Sequence, residues 1–169
     1  MESPRTALEV RAATDADWPG IWAVMEPVVR AGETYTWDPG TDEATLREKW
    51  MHAGGHGRTV VAVTHGRVVG TAELHPNYGG GAADVANAGF MVAADHAGRG
   101  VARALAAHVL DLARAYGYSA MVFNAVVASN VRAVRLWQSM GFAVVGTIPG
   151  AFRLPSGDRV GLHVMHRFL

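Results

Sequence analysis

Asn87-Ala-Gly-Phe-Met-Val-Ala-Ala-Asp-His-Ala-Gly-Arg-Gly-Val-Ala-Arg-Ala-Leu105 reads as an apolar, glycine-broken strand that passes through a tight Gly-x-Gly turn straight into an amphipathic helix. Such a junction gathers unpaired backbone N–H groups and the positive end of a helix at one point, an arrangement suited to phosphate. Gly98 and Gly100 allow the backbone to approach a diphosphate closely, and Arg99 or Arg103 could add a full positive charge. A plain strand–turn–helix corner shares this local pattern, so the surroundings must decide. A Walker loop is excluded because no Gly-Lys-Ser/Thr is present. A dinucleotide fingerprint is excluded because Arg103 stands where a third glycine is needed.

Outward from this junction the chain alternates strands and helices. Ala7–Ala12 reads as a short strand, and Thr14–Val29 as a helix with Trp18, Ile21, Trp22, Met25 and Val29 on one stripe. Thr14 and Asp17 resemble a capping box, and Pro27 should bend or end this helix. Gly32–Gly40 is a loop, and Thr41–His52 a second helix with Leu46 and Trp50 inward. Arg58–Thr64 and Val68–His75 flank His65-Gly66-Arg67 as a hairpin. Asn77–Gly81 is a loop, Asp84–Ala93 a strand, and Gly98–Tyr116 a helix with Val101, Leu105, Val109, Leu112 and Tyr116 on one face, closed by Gly117. Met121–Val127 suits a strand buried on both faces, and Asn130–Met140 a helix ended by Gly141. Phe142–Ile148 and Arg159–Phe168 complete the chain as strands paired across a Pro149–Asp158 loop. The order β-α-α-β-β-β-α-β-α-β-β describes a single mixed α/β domain over residues 1–169.

Composition narrows the function. Half of the 169 residues are hydrophobic and 18% are charged, a globular balance low enough in charge to suit a buried dimer surface. Net charge is zero, so no global field recruits nucleic acid or an anionic membrane. With no cysteine, disulfides, thiolate catalysis and zinc–thiolate sites are ruled out. There is no membrane-length apolar run and no signal-peptide core, which reads as a soluble cytoplasmic protein. His52-x-x-x-His56 has helical ligand spacing, but Gly54-Gly55 breaks the helix between them, and no metal is expected.

Two segments carry a family resemblance. Ala97-Gly98-Arg99-Gly100-Val101-Ala102 resembles motif A of the GNAT N-acetyltransferases, Arg/Gln-x-x-Gly-x-Gly/Ala, with Ala97 in place of the leading Arg/Gln. Asn130-x-x-Ala133-x-x-Leu136-Trp137-x-x-x-Gly141-Phe142 resembles their motif B. The resemblance implies a GNAT (acyl-CoA N-acyltransferase) fold: a mixed, mostly antiparallel twisted sheet with helices on both faces. It also implies acetyl-CoA as cofactor, held by Met91, Val92, Gly98, Arg99, Gly100, Val101, Ala102, Arg103, Asn130, Ala133, Leu136 and Trp137, and a homodimer. Ala97 should weaken binding without abolishing it, because the family's pyrophosphate contacts are largely main-chain. Many members carry Tyr at Trp137 as the acid for the leaving thiolate; an indole N–H cannot serve. Asn130 reads equally as a helix N-cap, and Leu136 and Trp137 as core.

Asn87-Ala-Gly-Phe90, Gly117-Tyr118, Phe123-Asn124 and Leu136-Trp137 together are similar to a narrower group, the fungal N-acetyltransferases that inactivate azetidine-2-carboxylate. In that group the matching asparagines line the substrate site, which implies the same for Asn87 and Asn124. Asn124 is the lone polar residue of its strand, so it either pairs structurally or faces a pocket. Backbone N–H groups near Met91 and Val92 are the best oxyanion donors if the strand splays. Glu73, His75, Asp84 and Glu33 are candidate bases, with Glu73 set beside Asn87 and Asn124 as catalytic. Glu33, Tyr35 and Trp37 in the early loop and Phe152 in the late loop are candidate acceptor contacts. Arg114, Arg132 and Arg135 read as a solvated helix face, or as a patch for the cofactor's 3′-phosphate.

The expected function is direct acetyl transfer in a ternary complex to the amine of a small molecule, with a proline-like imino acid among the candidates. A phosphinothricin-type or other drug-like acceptor is one alternative. A degenerate acyl-CoA-binding sensor, suggested by Ala97 and Trp137, is the other.

Overall fold

The computed structural model describes residues 7–52, 55 and 57–169. Among these residues, seven strands form one sheet in the order β1-β2-β3-β4-β5-β7-β6, with β1 Glu9–Ala12, β2 Arg58–Thr64, β3 Arg67–Pro76, β4 Val85–Val92, β5 Ala120–Val127, β6 Ala143–Arg153 and β7 Arg159–Phe168. Four α-helices among them cover it: α1 Trp18–Ala31, α2 Glu43–Met51, α3 Val101–Ala115 and α4 Val131–Ser139. Every strand pair is antiparallel except β4 with β5, which is parallel. This is the arrangement that the family resemblance implies, a mixed and mostly antiparallel sheet.

The two-residue period of the strands sorts the core into two layers. Val60, Ala62, Ala72, Leu74, Ala86 and Ala88 pack with Leu105, Val109 and Trp137 on the α3/α4 face. Val61 and Met91 pack with Ile21, Met25, Leu46 and Trp50 on the α1/α2 face. Trp50 locks α2 to the sheet. Its indole N–H donates to Thr71 Oγ1 at 2.9 Å, and its carbonyl accepts from Thr59 Oγ1 at 2.7 Å.

Several boundaries differ from the sequence reading, each for a local reason. Pro27 does not end α1: the helix continues to Ala31 and stops at left-handed Gly32. Ile21, Met25 and Val29 are buried on both sides of the proline, and that burial outweighs one lost backbone bond. The helix expected from Gly98 begins at Val101, because Gly98 (φ 75°) and Gly100 (φ 83°) are both left-handed. Tyr116 is 53% exposed and lies beyond the buried stripe of α3. β6 runs past the expected Ile148 to Arg153, through Pro149, which an edge strand accommodates without losing a ladder bond. The late loop therefore shrinks to residues 154–158.

The first turn is anchored by Asp17, whose carboxylate accepts from Thr14 N at 2.7 Å and from both terminal nitrogens of Arg11 at 2.8 Å. The Arg11 hydrogen bonds hold the Asp17 carboxyl well below the usual carboxylate range. Its folded pKa lies below its unfolded value, so the stabilisation is complete near neutral pH and is lost as pH falls below about 4. Asp17→Asn is expected to cost about 1 kcal/mol, a Tm loss of roughly 2–4 °C. In thermal melts across pH, the gap between variant and wild type should close on acidification.

Candidate active site

The site begins where the sheet comes apart. β4 and β5 are paired only at Val85–Ala120 and Ala86–Met121, and beyond Ala86 they diverge. A cleft of about 490 Å³ opens through the gap. Tyr35, Trp37, Glu73 and His75 line it from the α1/α2 side, and Asn130, Ala133 and Trp137 from the α4 side. The free edge of β4 takes substitutes for its missing partner strand. Tyr35 Oη accepts from Phe90 N at 3.0 Å and donates to Phe90 O at 3.2 Å. Ala88 N donates to the Asn87 side chain at 2.7 Å. By strand alternation the N–H of Val92 shares this open edge, whereas that of Met91 turns toward β3.

Glu73 is 8% exposed and faces the α1/α2 side of β3. One carboxylate oxygen, Oε2, accepts two hydrogen bonds, from His52 Nε2 at 2.7 Å and His75 Nδ1 at 2.6 Å. Burial opposes ionisation of Glu73, but the two histidine bonds together outweigh it and leave the carboxyl below its ordinary pKa. The hydrogen bond to Glu73 raises His75 in turn, against the opposing effect of burial. Burial, and then the charge of Glu73, push the Tyr35 hydroxyl far above the usual tyrosine range, so it stays a neutral hydrogen-bonding group. Gly89 makes this convergence possible: a Cβ there would lie 3.0 Å from both Glu73 Oε1 and Tyr35 Oη.

Asn124 is exposed to the cleft, not buried on both faces as the apolar strand suggested, because the divergence leaves β5 with no neighbour on that side. It is joined to Asn87 through Asn77. Asn77 Oδ1 accepts from Asn124 Nδ2 at 2.8 Å and from Asn87 Nδ2 at 3.3 Å, and Asn77 Nδ2 donates to Asn124 Oδ1 at 3.0 Å. Asn77 was invisible as a site residue, since it reads as one more polar residue in a glycine-rich loop.

The Gly98–Gly100 turn delivers the first-turn N–H groups of α3, and the first intrahelical bond is Ala104 N to Gly100 O at 3.0 Å. Arg132 separates from the other α4 and α3 arginines: its Nη2 lies 3.9 Å from where a Cβ on Gly98 would stand. Arg114 instead pairs with Asp111 on α3 at 2.9 Å. Arg103 donates to Ser139 Oγ at 2.8 Å, and Arg99 is exposed. Asn130 both caps α4, accepting from Ala133 N at 3.4 Å, and lines the cleft. Trp137 packs on Phe90 and Phe123 with ring centroids 4.8 and 4.9 Å away, and lines the cleft too. Val101, Ala102 and Leu136 sit in the helix faces behind these groups, Val101 and Leu136 packed into the core.

Two proposed acceptor contacts are not brought to the cleft. Glu33 is exposed in the loop that follows α1, while its neighbours Thr34–Trp37 line the cleft. Phe152 is buried within β6 opposite Val160. Of the other base candidates, Asp84 lies in the turn just before β4, accepting from Ser119 Oγ at 2.7 Å. Of the His52–His56 pair, His56 lies outside the described residues, and His52 joins Glu73 and His75.

The comparisons with known proteins agree with this architecture. Residues 22–142 match the Acetyltransferase (GNAT) family. The curated N-acetyltransferase aca1 of Schizosaccharomyces pombe is 37% identical over 87 residues, a match covering 52% of this chain and 42% of that protein's own length. A GCN5-related N-acetyltransferase from Kribbella flavida superposes with a TM-score of 0.93 at 51% identity, covering 99% of this chain and 100% of that one. The structure of yncA from Salmonella typhimurium with its cofactor acetyl-CoA has the same fold at 24% identity, TM-score 0.85, covering 96% of this chain and 94% of that one. The family match, the opened β4–β5 edge and the glycine turn at the head of α3 all point one way: this chain is a member of the GNAT family of acetyltransferases.

Proposed function

We propose that this acetyltransferase moves the acetyl group of acetyl-CoA directly to the nitrogen of a small amine or imino acid. One observation carries the reading: Glu73 with His75, and the Asn77–Asn87–Asn124 cluster, converge from two sides on the gap between β4 and β5. Acetyl-CoA supplies an activated acyl carbonyl when bound. The residues around the Gly98–Gly100 turn fit its diphosphate, and Arg132 offers a positive charge where Ala97 has none.

The acceptor enters as an ammonium and must lose a proton before it can attack. Glu73 Oε2 and His75 form the relay that takes it, since an ionised carboxylate bonded to imidazole can pass a proton without a charged cation locking it. His52 holds the same oxygen from the other side and positions it. Asn87 and Asn124 orient the acceptor. The Val92 N–H on the open edge of β4 is the proposed oxyanion donor, with Met91 behind it in the ladder. Trp137 and the Tyr35 hydroxyl supply walls, not acids.

The cleft walls are aromatic and the volume is that of a small-molecule site. Among the described residues that line the cleft none is Lys or Arg, so an acceptor carboxylate would be received by asparagine amides. This favours a compact imino acid of the azetidine-2-carboxylate kind, and detoxification as its purpose, over a doubly anionic acceptor such as phosphinothricin. A built proton relay weighs against a degenerate acyl-CoA sensor. We further propose a homodimer through β6, an unpaired edge strand on which Val145 and Ile148 are 62% and 54% exposed. The cytoplasm is the proposed compartment; a chain without cysteine carries none of the disulfides typical of secreted domains.

Glu73→Gln is expected to lower kcat by about 10²–10⁴ with acetyl-CoA affinity unchanged, measured by thiol release and by calorimetry. Unchanged turnover would remove Glu73 from the relay. Asn124→Ala should cut kcat/KM for the acceptor by roughly tenfold and leave acetyl-CoA affinity near wild type; an equal loss toward both substrates would make its role structural. Arg132→Ala should raise the KM for acetyl-CoA by about tenfold and spare acceptor KM, while Gly100→Trp should abolish acetyl-CoA binding. Turnover of azetidine-2-carboxylate but not of open-chain amines on one panel would support the imino-acid reading, and the reverse would discard it.

A further inference from the structure

We propose that His52, Glu73 and His75 form a binding site for a divalent transition metal of the zinc class, and that an ion held there shuts off transfer. The second half of this proposal rests on the reading of Glu73 as part of the proton relay; the first half does not.

The donor set is complete and convergent. His52 Nε2, Glu73 Oε2 and His75 Nδ1 lie within 4.8 Å of one another, and both ring nitrogens point at the same carboxylate oxygen. Two imidazoles and one carboxylate suit zinc, cobalt or nickel, whereas magnesium and calcium prefer oxygen ligands throughout. Three protein ligands leave a fourth tetrahedral position, and two of the three, Glu73 and His75, line the cleft.

The ligands are held in place before any ion arrives. Glu73 and His75 are two residues apart on β3 and therefore share a face. His52 occupies the left-handed C-cap of α2 (φ 50°, ψ 52°), where the chain turns out of the helix, and Trp50 two residues earlier is tied to Thr59 and Thr71. The side chains of His52, Glu73 and His75 are only 16%, 10% and 32% exposed, so little ordering entropy remains to be lost. Ligand atoms around a tetrahedral zinc stand about 3.3 Å apart. Oε2 now lies 2.7 and 2.6 Å from the ring nitrogens and the three atoms lie within 4.8 Å of one another, so an ion draws the two rings toward each other while Oε2 withdraws, each a movement on the order of an ångström. The proton of each donating ring nitrogen moves to the ring's other nitrogen, or to solvent if that ring is protonated, and its lone pair goes to the metal. With Oε2 and His75 engaged in this way, neither can accept a proton from the acceptor.

The test uses metal alone on the full chain freed of metal by chelator. Titration with CoCl₂ is expected to give the visible absorption of tetrahedral cobalt, saturating at one equivalent and displaced by ZnCl₂. His52→Gln and Glu73→Gln should each weaken cobalt binding at least tenfold. In the wild-type chain, zinc should shift the ring resonances of His52 and His75 before those of the other histidines, a readout that needs no variant. Zinc should lower kcat and leave the KM for acetyl-CoA unchanged, and chelator should restore activity. Absence of stoichiometric cobalt binding, or binding unchanged in both variants, would overturn the site. Stoichiometric binding without inhibition would uphold the site and overturn the shut-off, and with it the relay if Glu73→Gln also retains full turnover.

Discussion

Everything functional in this molecule follows from the failure of β4 and β5 to stay paired. They share two residue pairs and then separate, so a parallel junction in an otherwise antiparallel sheet becomes a wedge. A sheet edge buried inside a protein would leave backbone groups without partners, at a cost of several kcal/mol. Here the vacancy is filled by side chains: the Tyr35 hydroxyl serves both backbone groups of Phe90, and Asn87 serves the N–H of Ala88. The wedge also joins the two faces of the sheet. A group held by α3 and α4 can meet a group held by α1 and α2 only through this opening, and the cleft passes through it.

The acidic centre shows the same economy. A buried carboxylate needs compensation, and an arginine would provide it at the expense of basicity. Glu73 is compensated by two imidazoles on one oxygen. That keeps the carboxylate ionised while leaving its partners able to carry protons. The same choice lets the trio serve as a chelating set in the proposed reading, because an imidazole that shifts its proton to the other ring nitrogen frees a lone pair, whereas an arginine offers only N–H donors.

In the proposed reading, a departure at one position of the glycine turn is met from another element. Ala97 lacks the charge that the family pattern places there, and Arg132 of α4 brings a guanidinium to the same turn from across the structure. No sequence window around residue 97 contains that information.

The sequence by itself determined the order of elements, the two glycines of the turn before α3 and the hydrophobic stripes of the helices, because each depends on local backbone preference or on a short period. The i, i+2 relation of Glu73 and His75 was also legible, as a shared strand face. What only the tertiary structure decided was which side chains meet. Asn124 faces the cleft because β5 loses its neighbour there, Phe152 stays out of the cleft because β6 is longer than its sequence pattern, and His52, Asn77 and Arg132 reach their partners from elements distant along the chain. Burial and hydrogen bonding between separate elements depend on how the sheet opens, and that opening is set by the packing of two faces at once, which no local pattern records.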